Sequence, residues 1–295
     1  MKMHNIPQSK LGIVLAGGRG TRLFPATSIF NKQALPIYDK PMIYYPITTL
    51  MLAGIRDILV VSSEEHISTF KSLLGNGEKW GLAINYFVQS SPNGIPEIFR
   101  LLPNEMQCDE NVLILGDNLL YGVGLGESLK EVFKGEGALS FAYSVSNPEE
   151  YGVVVMGKNR KAELIVEKPN NFVSNLAIPG LYFFDKTVFA KSQNLSKSSR
   201  GEFEIVDLLN MYLNEGSLEI NLLERGTAWL DTGNQSSMLD ASEFVRVIEK
   251  RQGLKIGCPE EVSLRMGYVS YSDFMENVRS MPECDYKHYL ANISL

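Results

Sequence analysis

The hydrophobic residues in the first half of the chain stand in short, unbroken runs rather than alternating with polar ones. The runs are Gly12–Ala16, Asp57–Ser62, Ile84–Val88 and Val112–Leu115, and helical patterns separate them at Met42–Ala53, His66–Leu74 and Pro96–Met106. Unbroken apolar runs between helices are typical of parallel strands that are buried on both faces. The pattern therefore predicts strand–helix–strand units and an α/β fold.

Predicted strands lie closer together in the second half, which favours a mixed sheet. They are Leu139–Val145, Val153–Met156, Glu163–Val166, Gly180–Phe184 and Leu218–Leu223. An amphipathic pattern predicts a long helix at Asn234–Arg251, followed by a helix-leaning segment that continues to Leu295. We therefore expect a polar tail at residues 1–10, a catalytic α/β domain at 11–233, and a helical region at 234–295 that packs on it and could contact other subunits.

Composition excludes several functional classes. The chain has 295 residues, 44% of them hydrophobic, and a net charge of −6 with scattered basic residues, which argues against a general nucleic-acid-binding protein. Its first residues lack the apolar core of a signal peptide, and no run approaches the roughly eighteen apolar residues of a membrane span. Its three cysteines and three histidines show no metal-ligand spacing. We expect a cytoplasmic protein without a membrane partner, a disulfide framework or a zinc site.

A glycine-rich segment directly follows the first predicted strand. Residues 17–22 read G-G-R-G-T-R, and Lys32 lies ten residues beyond Arg22. Closely spaced glycines let backbone N–H groups face an anion, and Arg22 and Lys32 would add full positive charges. The spacing fits neither the Walker A motif nor the dinucleotide fingerprint G-x-G-x-x-G. The segment predicts a phosphate site of another kind, with a tight turn and a solvated arginine as the alternative.

Two carboxylates stand at turns beside predicted elements. Asp117 closely follows the run Val112–Leu115, and Asp231 precedes the long helix. Ligands of open α/β sheets bind outside the carboxyl ends of strands, and Mg²⁺ uses few carboxylates, completing its shell with phosphate and water. The pair is a candidate magnesium site, with caps of a turn and of the helix as the alternatives. Lys168 and Arg200 could bind a second phosphate or simply be solvated charges.

Seven motifs occur together in one order between about Leu11 and Glu261. They read L-A-G-G-R-G-T-R-L, N-K-Q-A-L-P-I-Y-D-K-P-M-I-Y-Y-P, L-G-D-N, Y-G-V-V, E-K-P, R-G-E-F-E-I and W-L-D-T-G. In this combination the chain resembles the sugar-1-phosphate nucleotidylyltransferases. The resemblance implies a Rossmann-like fold, homotetramers, and Mg²⁺-dependent condensation of a nucleoside triphosphate with a sugar 1-phosphate, which yields a nucleotide sugar and pyrophosphate. The substrates that it implies are dTTP and glucose 1-phosphate.

The resemblance also implies roles for individual residues. Arg22 and Lys32 would stabilise charge at the reacting phosphorus, and Asp117 and Asp231 would bind Mg²⁺. The implied nucleotide-binding residues are Leu15, Gly17, Gly18, Gly20, Thr21, Gln89, Gly94 and Asp117. The implied sugar-phosphate-binding residues are Asn118, Tyr151, Gly152, Glu167, Lys168, Ile178 and Arg200.

The loop that carries the implied base-reading residues, Gln89 and Gly94, departs from the family. It reads Q-S-S-P-N-G-I-P-E-I where close relatives usually carry Q-P-S-P-D-G-L-A-Q-A. Pro96 removes a backbone donor, and Glu97 adds a negative charge near the expected anions. Residues 178–180 differ as well, beside the implied sugar pocket. Another sugar 1-phosphate or UTP is therefore the alternative substrate.

Two interpretations from other functional classes follow from these departures and from the missing fingerprint. A catalytically weak regulatory protein that binds nucleotide sugars would keep the phosphate site with an altered loop. A nicotinamide-dependent oxidoreductase is disfavoured, because its glycine fingerprint is missing. Glu261 and Arg265 fall where family members have a regulatory nucleotide site at a subunit interface, and ordinary charges on a surface helix are the alternative.

Overall fold

The structure, a computed structural model, describes residues 10–18 and 20–293. All of the predicted polar tail except Lys10, and also Arg19, fall outside the described residues. The strands are β1 Lys10–Leu15, β2 Pro36–Ile37, β3 Lys40–Pro41, β4 Asp57–Ser62, β5 Ala83–Val88, β6 Glu110–Leu115, β7 Asn118–Tyr121, β8 Ala138–Ser144, β9 Gly152–Met156, β10 Ala162–Glu167, β11 Leu176–Ala177, β12 Leu181–Asp185, β13 Leu218–Leu222 and β14 Ala228–Asp231. The α-helices are α1 Tyr44–Leu52, α2 Ile67–Leu74, α3 Glu97–Leu101, α4 Leu125–Glu131, α5 Thr187–Gln193, α6 Ile205–Asn214, α7 Gln235–Gln252, α8 Pro259–Arg265, α9 Tyr271–Ser280 and α10 Asp285–Ala291.

A mixed sheet of ten strands forms the centre of the protein. Its order is β10-β9-β11-β8-β12-β6-β1-β4-β5, with β13 paired to β8 off this path. Strands β6, β1, β4 and β5 run parallel, whereas β12 lies antiparallel between β6 and β8. The predicted fold class, a mixed and mostly parallel sheet with flanking helices, is confirmed. Because β12 runs the other way, its first residues lie at the edge where the parallel strands end.

Each central strand buries both of its faces. Ile13 and Val14 of β1 belong to two different hydrophobic clusters, and so do Leu59 and Val60 of β4, because successive side chains point to opposite sides of a sheet. Helices α1, α2 and α4 contribute to one cluster, and α3, α5 and α6 to the other. The three-layer arrangement explains why these strands read as unbroken apolar runs.

The helix predicted at Pro96–Met106 is wrong in its extent. Helix α3 ends at Leu101, and Leu102 is extended, with φ −65° and ψ 124°. Pro103 follows, and a proline disfavours helical geometry in the residue before it. The remainder forms only a short 3₁₀ turn at Asn104–Met106.

Helix α7 begins with a capping box rather than with Asp231. The Asn234 side chain accepts a hydrogen bond from Ser237 N at 3.0 Å, and the Ser237 hydroxyl accepts one from Asn234 N at 3.1 Å. The interpretation of Asp231 as the helix cap is therefore wrong. Helices α8 to α10 share a small apolar cluster that includes Leu264 and Phe274. Within the described ranges, no helix combines the length and hydropathy that a membrane crossing requires.

Candidate active site

A cleft of about 850 Å³ opens at the carboxyl ends of the parallel strands. Segments that follow β1, β4, β5 and β6 line it, as expected for an open α/β sheet. The predicted site residues on its surface are Leu15, Gly17, Gly18, Gln89, Gly94, Asp117, Glu167, Lys168 and Arg200. Residues from separate motifs, which are far apart in sequence, thus face one space.

The glycine segment folds into a turn just after the C-terminal end of β1. Gly20 has a φ of +59°, a left-handed conformation that glycine adopts without strain, and a Cβ there would lie 2.8 Å from Thr27. The Thr27 hydroxyl donates to Gly20 O at 2.9 Å, which fixes the turn. Thr21 and Arg22 follow on an exposed 3₁₀ turn. Gly17 and Gly18 face the cleft, as a phosphate site requires.

Lys32 reaches the site from a short turn that is tied to β1. The Asn31 side chain accepts from Gln33 N at 2.8 Å and donates to Ala16 O at 3.0 Å, so the turn is held against the end of the strand. Lys32 is only 6% exposed, and its ammonium group donates a hydrogen bond to the Asp117 carboxylate. This pairing satisfies a buried charge that would otherwise be costly.

Asn118 holds Asp117 in place from below. Its amide nitrogen donates to Asp117 Oδ1 at 2.9 Å, while its amide oxygen accepts from Trp229 Nε1 at 2.6 Å and from Gly180 N at 3.0 Å. Asn118 is 4% exposed, so the structure places it beneath the carboxylate rather than on the cleft surface. Neither Asn118 nor Trp229 is free to turn, because these hydrogen bonds fix both side chains.

A short two-stranded sheet brings Asp231 close to Asp117, which immediately precedes the other strand of that sheet. β14 pairs antiparallel with β7, with Asp231 opposite Asn118. Burial and the negative charge of Asp117 raise the pKa of Asp231, while Lys32, Tyr151 and Arg22 act in the opposite direction. A Cβ added at Gly233 would lie 3.1 Å from Asp231 Oδ2 and 3.4 Å from the Arg22 guanidinium, so the two groups are close neighbours.

The donor set at these carboxylates fits a magnesium ion. Two partly buried carboxylates that repel each other are stabilised by a shared cation, and oxygen ligands are those that Mg²⁺ prefers. Among the described residues there is no group of three or more His, Cys, Asp or Glu side chains that could hold a metal. The pair therefore suits an ion that takes the rest of its shell from phosphate and water, as Mg²⁺ does.

Four charged residues line the opposite side of the cleft: Glu167, Lys168, Arg200 and Glu204. We call this set of residues the sugar side. Arg200 Nη2 donates to Glu167 at 2.9 Å and to Glu204 at 2.6 Å, and these contacts raise the pKa of the guanidinium. Lys168 has a φ of +42° and donates its backbone N–H to Tyr151 O at 3.0 Å. The sugar side therefore presents two positively charged side chains, Lys168 and Arg200, beside the carboxylates of Glu167 and Glu204.

Gly152 and Ile178 lie behind the sugar side. Ile178 N donates to Gly152 O at 2.8 Å, and Ile178 is 6% exposed. A Cβ at Gly152 would lie 3.2 Å from Glu167 Oε2. Gly152 thus lies directly against Glu167, and Ile178 holds the Gly152 backbone.

The base loop, residues 89–97, forms the remaining side. Gly94 has a φ of +111°, and a Cβ there would lie 2.1 Å from Phe203 O, so only glycine fits. Phe203 N donates to Asn93 O at 2.7 Å. Glu97 does not stand among the expected anions: it is 8% exposed and accepts hydrogen bonds from Gln89 and Asn93 beneath the loop. Pro96 immediately precedes α3, where the loss of a backbone donor is tolerated.

Glu261 and Arg265 lie on α8, which packs against α1 rather than in the cleft. Arg265 Nε donates to Glu261 Oε1 at 2.7 Å, and the Tyr289 hydroxyl donates to Glu261 Oε2. Glu261 is 7% exposed. The pair is thus engaged within the chain, and its regulatory role stays a prediction.

The sequence interpretation missed Gln33 and Trp229 as parts of the site. Gln33 lines the cleft, and its amide oxygen is buried without a hydrogen-bond partner among the described residues. Such an acceptor is costly unless a ligand donor or a cation meets it. Both residues stand inside quoted motifs, N-K-Q and W-L-D-T-G, so the motifs themselves were the available signal.

The sequence of residues 11–247 matches the nucleotidyl transferase family. The chain belongs to this family. This nucleotidyl transferase is 48% identical to the glucose-1-phosphate thymidylyltransferase of Mycobacterium tuberculosis over 282 residues, which are 96% of this chain and 98% of the relative. The enzyme of that name from Neisseria meningitidis is 46% identical over 284 residues, with the same two coverages. The resemblance inferred from the motifs is confirmed, and the protein is an enzyme.

Solved structures agree with the family assignment. A Bacillus anthracis protein described as a glucose-1-phosphate thymidylyltransferase, in complex with sucrose, superimposes with a TM-score of 0.74 at 36% identity and covers 81% of this nucleotidyl transferase and 96% of its own chain. A UDP-glucose pyrophosphorylase in complex with UDP-glucose gives a TM-score of 0.72 at 22% identity, over 82% of this chain and all of its own. The second likeness concerns the fold alone.

Proposed function

We propose that this nucleotidyl transferase condenses dTTP with α-D-glucose 1-phosphate to form dTDP-glucose and pyrophosphate. One observation carries the proposal: Arg22, Lys32, Asp117 and Asp231 meet at the carboxyl end of the parallel strands, beside a glycine turn. A cleft of this kind suits two phosphate-bearing substrates. The names of the full-length relatives supply the substrate pair.

The proposed step is an in-line displacement. A phosphate oxygen of the sugar 1-phosphate attacks the α-phosphorus, and the new O–P bond forms as the bond to the pyrophosphate leaving group breaks. The nucleophile is already an anion at neutral pH, so a general base is not required. The main barrier is repulsion between anions, which Lys32 and Arg22 would offset as fixed positive charges.

Asp117 and Asp231 would hold a magnesium ion in this proposal. When bound, the ion would supply positive charge next to the reacting phosphates. The residues of this chain would fix its position: Asn118 holds Asp117 from below, and Tyr151 donates to Asp231 at 3.3 Å.

The remaining residues would distinguish the substrates. Lys168 and Arg200 would bind the sugar phosphate, and Glu167 would accept from sugar hydroxyls. Gln89 would face the pyrimidine. Thymine and uracil differ by one methyl group, which is worth about 1–3 kcal/mol in an apolar pocket, so we expect some turnover of UTP.

The test is pyrophosphate release with Mg²⁺ across dTTP, UTP, CTP and ATP, each paired with the 1-phosphates of glucose and glucosamine. We expect the fastest release with dTTP and glucose 1-phosphate. Arg22→Ala and Asp231→Ala should each lower kcat by about 100-fold or more, the effect of removing a single electrostatic group. Lys250→Ala and Asp240→Ala, at exposed positions of α7, are the matched controls and should keep wild-type kcat.

Each other outcome has a definite meaning. If pyrophosphate release is fastest with a different pair, that nucleoside triphosphate and sugar 1-phosphate are the substrates instead. Nucleotide binding without any release would favour a regulatory protein that binds nucleotide sugars. Wild-type kcat in both site variants would contradict the assignment of the site.

We also infer a cytoplasmic homotetramer from the family resemblance. Val123, Leu239 and Val247 are large apolar side chains that are exposed in the single chain, and burying them between subunits would be favourable. Light scattering of the purified protein tests the inference, and a monomer at micromolar concentration would contradict it.

A further inference from the structure

The Glu97 side chain is a buried carboxylate that belongs to the base loop but not to the reacting groups. Its exposed fraction is 8%, and three donors converge on it. Gln89 Nε2 donates to Oε2 at 2.5 Å, Asn93 N donates to Oε2 at 3.3 Å, and Asn93 Nδ2 donates to Oε1 at 2.6 Å. Glu97 is the first residue of α3, and it thus connects this helix to Gln89, the residue that follows β5.

This contact decides which end of the Gln89 amide faces the cleft. A carboxylate can only accept hydrogen bonds, so the NH₂ group of Gln89 must turn toward Glu97. Gln89 lines the cleft, and its amide oxygen is then the atom left for a ligand. Without a fixed partner the amide could present either its NH₂ group or its oxygen.

A contact from Lys197 favours the orientation in which Asn93 faces Glu97. Lys197 Nζ donates to Asn93 Oδ1 at 2.9 Å, and a lysine ammonium group only donates. The Asn93 NH₂ group therefore stays on Glu97. The backbone of Asn93 is held as well, because its carbonyl oxygen accepts from Phe203 N at 2.7 Å. The contacts from Lys197 through Asn93 and Glu97 to Gln89 thereby set the orientation of both side-chain amides, those of Asn93 and Gln89.

We propose that Glu97 is a positioning residue for base selection: it holds Gln89 with the amide oxygen toward the base, so the site favours bases with a ring N–H on the pairing edge. This inference rests on the proposed function. Thymine and uracil carry that N–H at N3, whereas cytosine N3 and adenine N1 are acceptors that would face the Gln89 oxygen without a proton between them. An acceptor left against an acceptor is costly in a desolvated site.

Glu97→Gln tests the proposal with a side chain of nearly equal size. The short 2.6 Å contact from Asn93 Nδ2 would hold the new amide oxygen at the Oε1 position, at the expense of the longer 3.3 Å contact from Asn93 N. The new NH₂ group would then face Gln89 and turn its amide around. We expect kcat/KM for dTTP to fall about tenfold, mostly through KM, and the ratio of kcat/KM for dTTP to that for CTP to fall by at least tenfold.

A charge-exchanged double variant, which moves the negative charge from position 97 to position 93, tests whether the base preference can be restored. In the double variant Asn93→Asp with Glu97→Gln, the carboxylate introduced at position 93 would hold the new NH₂ group, and the new amide oxygen would again accept from Gln89. We expect the dTTP to CTP ratio to return to within about threefold of wild type. In a Gln89→Met background, Glu97→Gln should change the ratio by less than about twofold, because the group that it acts through is absent.

The outcomes separate this inference from the proposed function. Wild-type turnover of dTTP with an unchanged ratio in Glu97→Gln, or a loss that the charge exchange does not restore, would overturn the inference and leave the function in place. If the wild type releases no pyrophosphate, the function fails, and calorimetric affinities for dTTP and CTP in the same variants decide the inference. Thermal unfolding of each variant verifies the fold, and the charge-exchanged pair remains available where the single variant unfolds.

Discussion

The hydroxyl of Tyr151 donates a hydrogen bond to Asp231 Oδ1 across 3.3 Å, and the Tyr151 ring meets Trp229 edge-on at 5.1 Å between centroids. Burial and the charge of Asp231 raise the pKa of Tyr151 to about 12. The phenol is therefore protonated at neutral pH and acts as a donor. This contact joins a residue of the implied sugar site to a proposed metal ligand.

Tyr151→Phe keeps the ring and removes only this donor. We expect kcat/KM to fall about three- to tenfold, because a hydrogen bond to a charged group is lost at long range. Initial rates with saturating Mg²⁺ measure the effect. Tyr271→Phe, an exposed position on α9, is the control, and equal rates for both variants would contradict the prediction.

Asn118→Asp changes one NH₂ group to an oxygen beside Asp117. The Trp229 and Gly180 donors would still be satisfied, but the new carboxylate would face Asp117 Oδ1, where the amide donates at 2.9 Å. We expect about a 100-fold loss of kcat and a lower midpoint of thermal unfolding, because a carboxylate buried beside Asp117 is costly and the two groups cannot keep the native spacing. Asn175→Asp, an exposed position, should remain fully active.

Arg200→Lys tests whether the planar guanidinium is needed on the sugar side. Arg200 contacts Glu204 through Nε and Nη2 of its planar guanidinium, and Glu167 through Nη2. An ammonium group cannot reproduce this geometry. We expect KM for the sugar 1-phosphate to rise about tenfold in both Arg200→Lys and Arg200→Ala, with a smaller change in KM for dTTP. Full activity of the lysine variant would show that charge alone is sufficient.

Asp39→Asn should destabilise the protein in a pH-dependent way. Burial alone would raise the pKa of Asp39, but the ammonium groups of Lys40 and Lys255, both hydrogen-bonded to it, lower it below the ordinary value. A carboxyl group with a lowered pKa stabilises the fold above its unfolded pKa, about 4, and this contribution is lost as pH falls through the folded value.

We therefore expect Asp39→Asn to lower the free energy of unfolding by about 1 kcal/mol at pH 7 and at pH 5. The difference from wild type should shrink below about pH 4 as the wild-type carboxyl takes up a proton. Urea denaturation at a series of pH values measures it, with Asp240→Asn as the exposed control. A difference that stays constant down to about pH 3 would contradict the prediction.

The parallel strands could be predicted almost to the residue because burial on both faces leaves a clear apolar signal. The run at Asp57–Ser62 coincides with β4, and Val112–Leu115 lies within β6. The carboxylate at position 117 was found for the same reason, since a polar residue that follows such a strand stands out. Glycine spacing likewise predicted the turn at Gly20.

The strands that frame the carboxylates could not be predicted. β7 and β14 have four residues each, too few to show a period of two, yet their pairing places Asp231 opposite Asn118. The role of Glu97 was misjudged from sequence because it depends on which donors fold over it. Lys197, which holds Asn93, lies 104 residues away along the chain, beyond the reach of any local pattern.

The backbone hydrogen bond from Phe203 to Asn93, 2.7 Å long, joins the base loop to the segment that carries Arg200. Under the proposed assignment, one part contacts the base and the other grips the sugar phosphate. This bond limits how far the two parts can separate. The protein would then select a nucleotide sugar by its length as well as by its chemistry. A nucleotide sugar with one phosphate too few or too many would not fit the base loop and the Arg200 segment at the same time.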